Sequence, residues 1–166
     1  VLGNDIVDLV VSRKESNWKR IGYLDKIFTK SEQLLILKAE NSDLMVWNLW
    51  SSKEAAYKIY NRQTGIRAYI PLQLECFNWN VINGILYGKV VCNTAIYYTK
   101  TEVNDEYIHT IAVTKMEDFD AVHYINDTSI IQKINGIPNW IDPNTSELKP
   151  ISISHHGRFT RRITLI

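Results

Sequence analysis

Trp50-Ser51-Ser52-Lys53-Glu54-Ala55-Ala56-Tyr57-Lys58 decides how this chain is read. The stretch sets one carboxylate and two ammonium groups on a helix that otherwise carries core residues. Leu44, Val46, Trp47, Leu49, Ala55, Ala56 and Ile59 crowd it, a spacing suited to an element packed on more than one side. Trp50, Glu54 and Lys58 recur at every fourth position and share one stripe. Glu54 and Lys58, acid first, stand in the favourable order of an ordinary surface ion pair. In apolar surroundings the same charges need partners, which a metal ion or a ligand's phosphates would supply.

Working outward, Thr29-Lys30-Ser31-Glu32 has the form of a capping box and opens a helix expected to turn Leu34, Leu35 and Leu37 inward and to end near Asn41. Ser42 or Asp43 then caps the central helix, which runs to about Asn61, with Gly65 and Pro71 in the exit loop. Upstream, residues 2–9 read as a strand, with Gly3-Asn4 giving tight backbone before Asp5, and residues 17–28 as a short amphipathic helical region. Downstream, the period changes to that of strands rich in β-branched and aromatic residues. Asn83-Gly84 is a type I′ hairpin signal and Asn104-Asp105 a second turn. Residues 76–128 thus read as an antiparallel meander inserted after the helices. A short helix is expected over 128–134, then a strand over 151–155, a turn at His156-Gly157 and a return strand to the end. With no repeat or flexible linker, the expectation is one α+β domain over 1–166, an antiparallel sheet with packed helices.

The 166 residues suit one domain, and a net charge of +1 offers nucleic acid no global attraction. Arg13, Lys14, Lys19, Arg20, Lys26 and Lys30 make the N-terminal part locally basic, which fits an acidic partner or a solvated charged face. Cys76 and Cys92 lack metal-ligand spacing and read as free thiols of a reducing compartment. No signal-like or membrane-spanning apolar run is evident, so a soluble, cytoplasmic protein is expected, with no membrane partner.

Phosphate-loop, zincin, Cys-x-x-Cys and nucleophile-elbow motifs are all missing. Ser154-His155 are strand neighbours and point to opposite faces, so they make a poor nucleophile–base pair. Three polar clusters remain: Asp5 with Asp8, Lys53/Glu54/Lys58, and His155/His156/Arg158. Carboxylates from distant segments suit Mg²⁺, and nearby lysines and a histidine suit phosphates, so metal-assisted phosphoryl chemistry is one option.

Four motifs in order then resemble the 4′-phosphopantetheinyl transferases: Gly3-Asn4-Asp5-Ile6-Val7-Asp8-Leu9, Ile27-Phe28-Thr29-Lys30-Ser31-Glu32, Trp50-x-x-Lys53-Glu54-Ala55-x-x-Lys58 and Ile153-Ser154-His155. Asn135, Gly136 and Pro138 look like the family's turn before the last strand. The resemblance covers roughly residues 1–75 and 130–166, in the motif order of the short, holo-acyl-carrier-protein-synthase type.

This resemblance implies transfer of the phosphopantetheine arm of coenzyme A to a serine of an apo acyl or peptidyl carrier protein, with release of adenosine 3′,5′-bisphosphate. It implies Mg²⁺ on Asp5 and Glu54, charge stabilisation by Lys58, and Lys53 and His155 on coenzyme A phosphates. It also implies Glu54, or a metal-bound water beside it, as the proton acceptor for the carrier serine, and the Gly65 loop near the nucleotide. Where larger members add a third carboxylate, this chain has Val7, so water is expected to complete the site. Asp8 is read as a cap or salt-bridge residue, and the basic segment as the surface that meets an acidic carrier. A single Lys-Glu-Ala helix implies a homo-oligomer, with a trimer favoured. The competing reading is a non-catalytic relative that binds coenzyme A or carrier protein.

Overall fold

The computed structural model describes residues 1–127 and 130–166. Strand β1 (Leu2–Asp8) runs into helix α1 (Leu9–Glu15), followed by α2 (Tyr23–Ile27), α3 (Lys30–Lys38) and the long α4 (Ser42–Thr64). A meander of β2 (Leu74–Ile82), β3 (Ile85–Cys92), β4 (Ala95–Val103) and β5 (Tyr107–Val113) returns to pair with β1, in the order β1-β5-β4-β3-β2. A second antiparallel sheet, β6-β10-β9-β8-β7, joins β6 (Val122–Tyr124), β7 (Ile131–Ile134), β8 (Ile137–Ile141), β9 (Leu148–His156) and β10 (Phe159–Leu165). The expected α+β class holds.

Helix α4 lies across the first sheet. Val46, Leu49, Ala55, Ala56 and Ile59 form one core with Leu74, Cys76, Val90, Cys92, Tyr97, Ile108 and Ala112. Small alanines at the helix centre let its backbone come close to β1. β1 itself is an edge of the first sheet, and its free side meets β9: the Asn4 N–H donates to Ser152 Oγ at 2.8 Å. The Asn83-Gly84 turn has φ of 50° and 77°, the mirror-image geometry a type I′ hairpin needs.

Several expectations are corrected. Leu34, Leu35 and Leu37 face solvent, while Glu32 and Ile36 face α4. The capping box forms, with Thr29 N–H donating to Glu32 Oε2 at 2.8 Å, and turning Glu32 inward sets the helix phase. α4 is capped by Asn41, whose Oδ1 accepts the Leu44 N–H at 3.1 Å, and it continues past Asn61 to Thr64. Within 17–28 only Tyr23–Ile27 are helical. In the span expected as a short helix, Ile131–Ile134 form an edge strand held by the β8 hairpin, and residues 128 and 129 lie outside the described residues.

Candidate active site

The site begins with a glycine. A Cβ at Gly3 would sit 2.0 Å from the Ala55 carbonyl oxygen, so only glycine lets β1 lie this close to α4. The pleat then turns Asp5 toward the same helix, where Ser51, Glu54 and Lys58 project. Asp5 Oδ1 is 3.6 Å from Lys58 Nζ, and Ser51 Oγ donates to the Asp5 carbonyl at 3.4 Å. Lys58 Nζ also donates to the Asn4 carbonyl at 2.6 Å. Lys58 therefore reaches across to β1 instead of pairing with Glu54 along its own helix.

Both carboxyls are out of their ordinary ranges. Burial, partly offset by Lys58, pushes Asp5 up. Burial and then the neighbouring Asp5 charge push Glu54 up to about 7, against opposing contributions from Lys58 and Tyr69. The Tyr69 hydroxyl lies close to Glu54 without hydrogen-bond geometry, and burial together with Glu54 raises it in turn. Asp5 Oδ2 is buried with no partner at all. Two adjacent, partly buried carboxyls, one with a bare oxygen, share a single nearby ammonium, that of Lys58.

A cavity of about 300 Å³ opens over this couple, walled by Tyr23, Trp47, Trp50, His155 and His156. Trp50 packs on Tyr69 with ring centroids 5.7 Å apart. A smaller cavity of about 160 Å³ lies between α4 and the β7–β8 hairpin, with Lys58, Arg62 and Pro138 in its wall. Arg62 ties helix to hairpin by donating to Pro138 O at 2.6 Å and Ile151 O at 3.0 Å.

Asp5, Glu54, Lys58 and His155 are thus brought together. Lys53 and Gly65 are not. Lys53 is fully buried on the face of α4 that meets α3, with Nζ 2.6 Å from Glu32 Oε2 and donating to Ile27 O and Pro71 O. One residue along a helix is a rotation of roughly 100°; Glu54 therefore faces the cavity and Lys53 the core. Gly65 ends α4 in the left-handed region (φ 74°), its N–H on Asn61 O, about 16 Å along the axis from Glu54 at 1.5 Å per residue. Its left-handed conformation is that of a helix stop.

Asp8 caps α1 by accepting the Val10 and Val11 N–H groups, and Arg158 grips both its oxygens, holding the carboxyl well below the usual range. His156 Nδ1 accepts the Asp8 N–H at 2.8 Å. Nothing in the sequence pattern marks Tyr69, or gives Asn4 and Glu32 the roles they play in the core. Glu32 was visible as a cap, but its bonds to Lys53 and to the Cys76 N–H (2.8 Å) depend on burial that no local pattern carries.

Among the described residues, no three His, Cys, Asp or Glu side chains converge as a metal cage. The Asp5–Glu54 couple still fits a hard divalent ion: its donors are carboxylate oxygens, one unpartnered, and Mg²⁺ commonly uses one or two carboxylates plus water and substrate phosphates.

A family model described as the 4′-phosphopantetheinyl transferase superfamily matches residues 1–112. The match takes in β1, all four helices and the meander nearly to the end of β5, and stops before the second sheet that carries His155. No curated protein matches the chain. No helix among the described residues is long and apolar enough to cross a membrane.

Proposed function

The chain belongs to the 4′-phosphopantetheinyl transferase superfamily, whose members transfer an arm from coenzyme A to carrier proteins, and on that premise we propose that Asp5, Glu54, Lys58 and His155 form its active site. The observation that carries the reading is the partly buried Asp5–Glu54 couple beside Lys58, with one carboxylate oxygen buried and left bare.

Asp5 and Glu54 would hold Mg²⁺, which when bound supplies charge neutralisation at a pyrophosphate. Lys58 stabilises negative charge that develops as the pyrophosphate bridge breaks. His155 lines the same cavity as Glu54 and meets a phosphate there. Glu54 takes the proton of the carrier serine as its oxygen bonds to phosphorus; the leaving group is adenosine 3′,5′-bisphosphate. Trp47 and Trp50 wall the cavity and exclude water from the transfer. One cavity is lined by Asp5 and Glu54 and the other by Lys58, which together offer room for an extended molecule such as coenzyme A. Arg13 and Lys19 line an adjoining cavity that shares Ser12 and Trp47 with the site, which suits an acidic carrier protein arriving there.

The test is to incubate the protein with coenzyme A, Mg²⁺ and a panel of apo carrier proteins and to read the carrier mass. A gain of one phosphopantetheine arm on a serine supports transfer. Retained coenzyme A binding with no carrier modified would favour a non-catalytic binding protein.

A further inference from the structure

The face of β1 turned away from α4 carries a buried polar cluster that the transfer chemistry leaves unused. Asn4, His109 of β5, and Ser152 and Ser154 of β9 are all at most 5% exposed. Asn4 Oδ1 accepts from Ser152 Oγ at 2.8 Å. Asn4 Nδ2 donates to Ser154 Oγ at 2.9 Å and lies 3.2 Å from His109 Nε2, with a longer contact to Arg161 O at 3.4 Å. The Asn4 backbone is engaged as well, its N–H on Ser152 Oγ and its carbonyl on Lys58 Nζ. One residue therefore joins β1, β5, β9 and α4.

Counting hydrogens assigns the ring. The Asn4 amide has two N–H bonds to give, and one goes to Ser154. The other has His109 Nε2 at 3.2 Å and the Arg161 carbonyl at 3.4 Å, and the nearer ring nitrogen takes it when bare. The ring proton then sits on Nδ1, facing the Tyr124 hydroxyl at 3.5 Å. Burial, followed by the charges of Arg161 and Lys58, keeps the ring neutral by lowering its pKa to about 4. A proton on Nε2 would set two N–H groups against each other and drive the amide to flip, breaking the bond that Ser152 donates.

We propose that His109 is a positioning residue: its bare Nε2 fixes the Asn4 amide, and Asn4 fixes the spacing between Asp5 on β1, His155 on β9 and the ammonium of Lys58. The inference takes from the proposed transfer reaction only what Asp5, Lys58 and His155 do. The site is drawn from three distant segments. β9 has no backbone ladder to β1, and the cluster takes its place at this point.

Nitrogen-15 long-range correlation spectra at neutral pH read the tautomer directly. The expected ring carries its proton on Nδ1 with Nε2 bare. A proton on Nε2 overturns the proposal, whatever the protein catalyses. In the carrier assay, His109→Leu is expected to lower kcat about 10- to 100-fold, the size of effect a small misplacement produces, with KM for coenzyme A moving less than about threefold. His109→Gln, whose amide oxygen can accept from Asn4, is expected to keep at least about a third of wild-type kcat. Equal kcat in wild type and His109→Leu, or equal loss in both variants, overturns it. If the wild type modifies no carrier, the transfer reading fails on its own. The tautomer and the rise in Tm on adding Mg²⁺, lost in His109→Leu and kept in His109→Gln, then decide the positioning role.

Discussion

Replacing Lys53 by Met separates a core ion pair from a phosphate ligand. The Lys53 ammonium has Glu32 Oε2 at 2.6 Å, Pro71 O at 2.8 Å and Ile27 O at 2.9 Å, and neither charged side chain is exposed. Met preserves the packing of the stem but strands a carboxylate held only by the Thr29 and Cys76 N–H groups. Removing one partner of a buried pair costs about 3–5 kcal/mol. At about 2–4 °C per kcal/mol for a domain of this size, Tm should fall by about 6–20 °C. The double variant Glu32→Gln/Lys53→Met removes the stranded charge and should recover about 1–3 kcal/mol of the loss expected from adding the single changes. Thermal unfolding followed by circular dichroism gives the first quantity. Initial rates well below Tm give KM for coenzyme A, which should stay within about twofold of wild type. An unchanged Tm with a KM raised tenfold would refute the buried-pair reasoning and return Lys53 to the phosphates.

Gly3→Ala puts a methyl group 2.0 Å from the Ala55 carbonyl, so β1 must move off α4; a loss of about 1–3 kcal/mol in urea unfolding and a weaker Mg²⁺ response are expected. Glu54 binds a proton up to about pH 7 in the fold, against about 4.5 for the free side chain. Between those values the native state holds more protons than the unfolded chain, so metal-free stability falls as pH rises through that window. The Tm increment from Mg²⁺ should grow over the same window, as differential scanning fluorimetry at pH 5 and pH 8 would reveal; an increment independent of pH would count against Glu54 as a ligand. Charge reversal at Arg13, Lys19 and Arg20 should raise KM for the carrier and flatten its salt dependence, leaving KM for coenzyme A unchanged.

Local pattern carried some features of this molecule and not others. Thr29 and Glu32 announce their helix because a capping box is a contact between residues three apart. Asn83-Gly84 likewise dictates its own turn. The inward face of α3 was misread because three leucines outweigh one glutamate on any hydropathy pattern, yet the glutamate has a lysine waiting in the core. Lys53 and Lys58 look alike in the sequence, and their fates diverge through helix phase and through what packs on each face. Asp5 stood out by family resemblance, but the reason it meets Glu54 is the contact of Gly3 with Ala55. The pairing of β1 with β5 brings together segments roughly a hundred positions apart, such as Asp5 with Thr110. That distance also hid His109, an unremarkable strand residue until Asn4 lies beside it.

The most direct test is the Mg²⁺ dependence of arm transfer in wild type, Asp5→Asn and Glu54→Gln, with Lys53→Met as the control below its Tm. The expected result is saturable Mg²⁺ activation in wild type and in Lys53→Met, and loss of both rate and metal response in the two carboxylate variants. Full Mg²⁺-activated transfer by Asp5→Asn or Glu54→Gln would contradict the site.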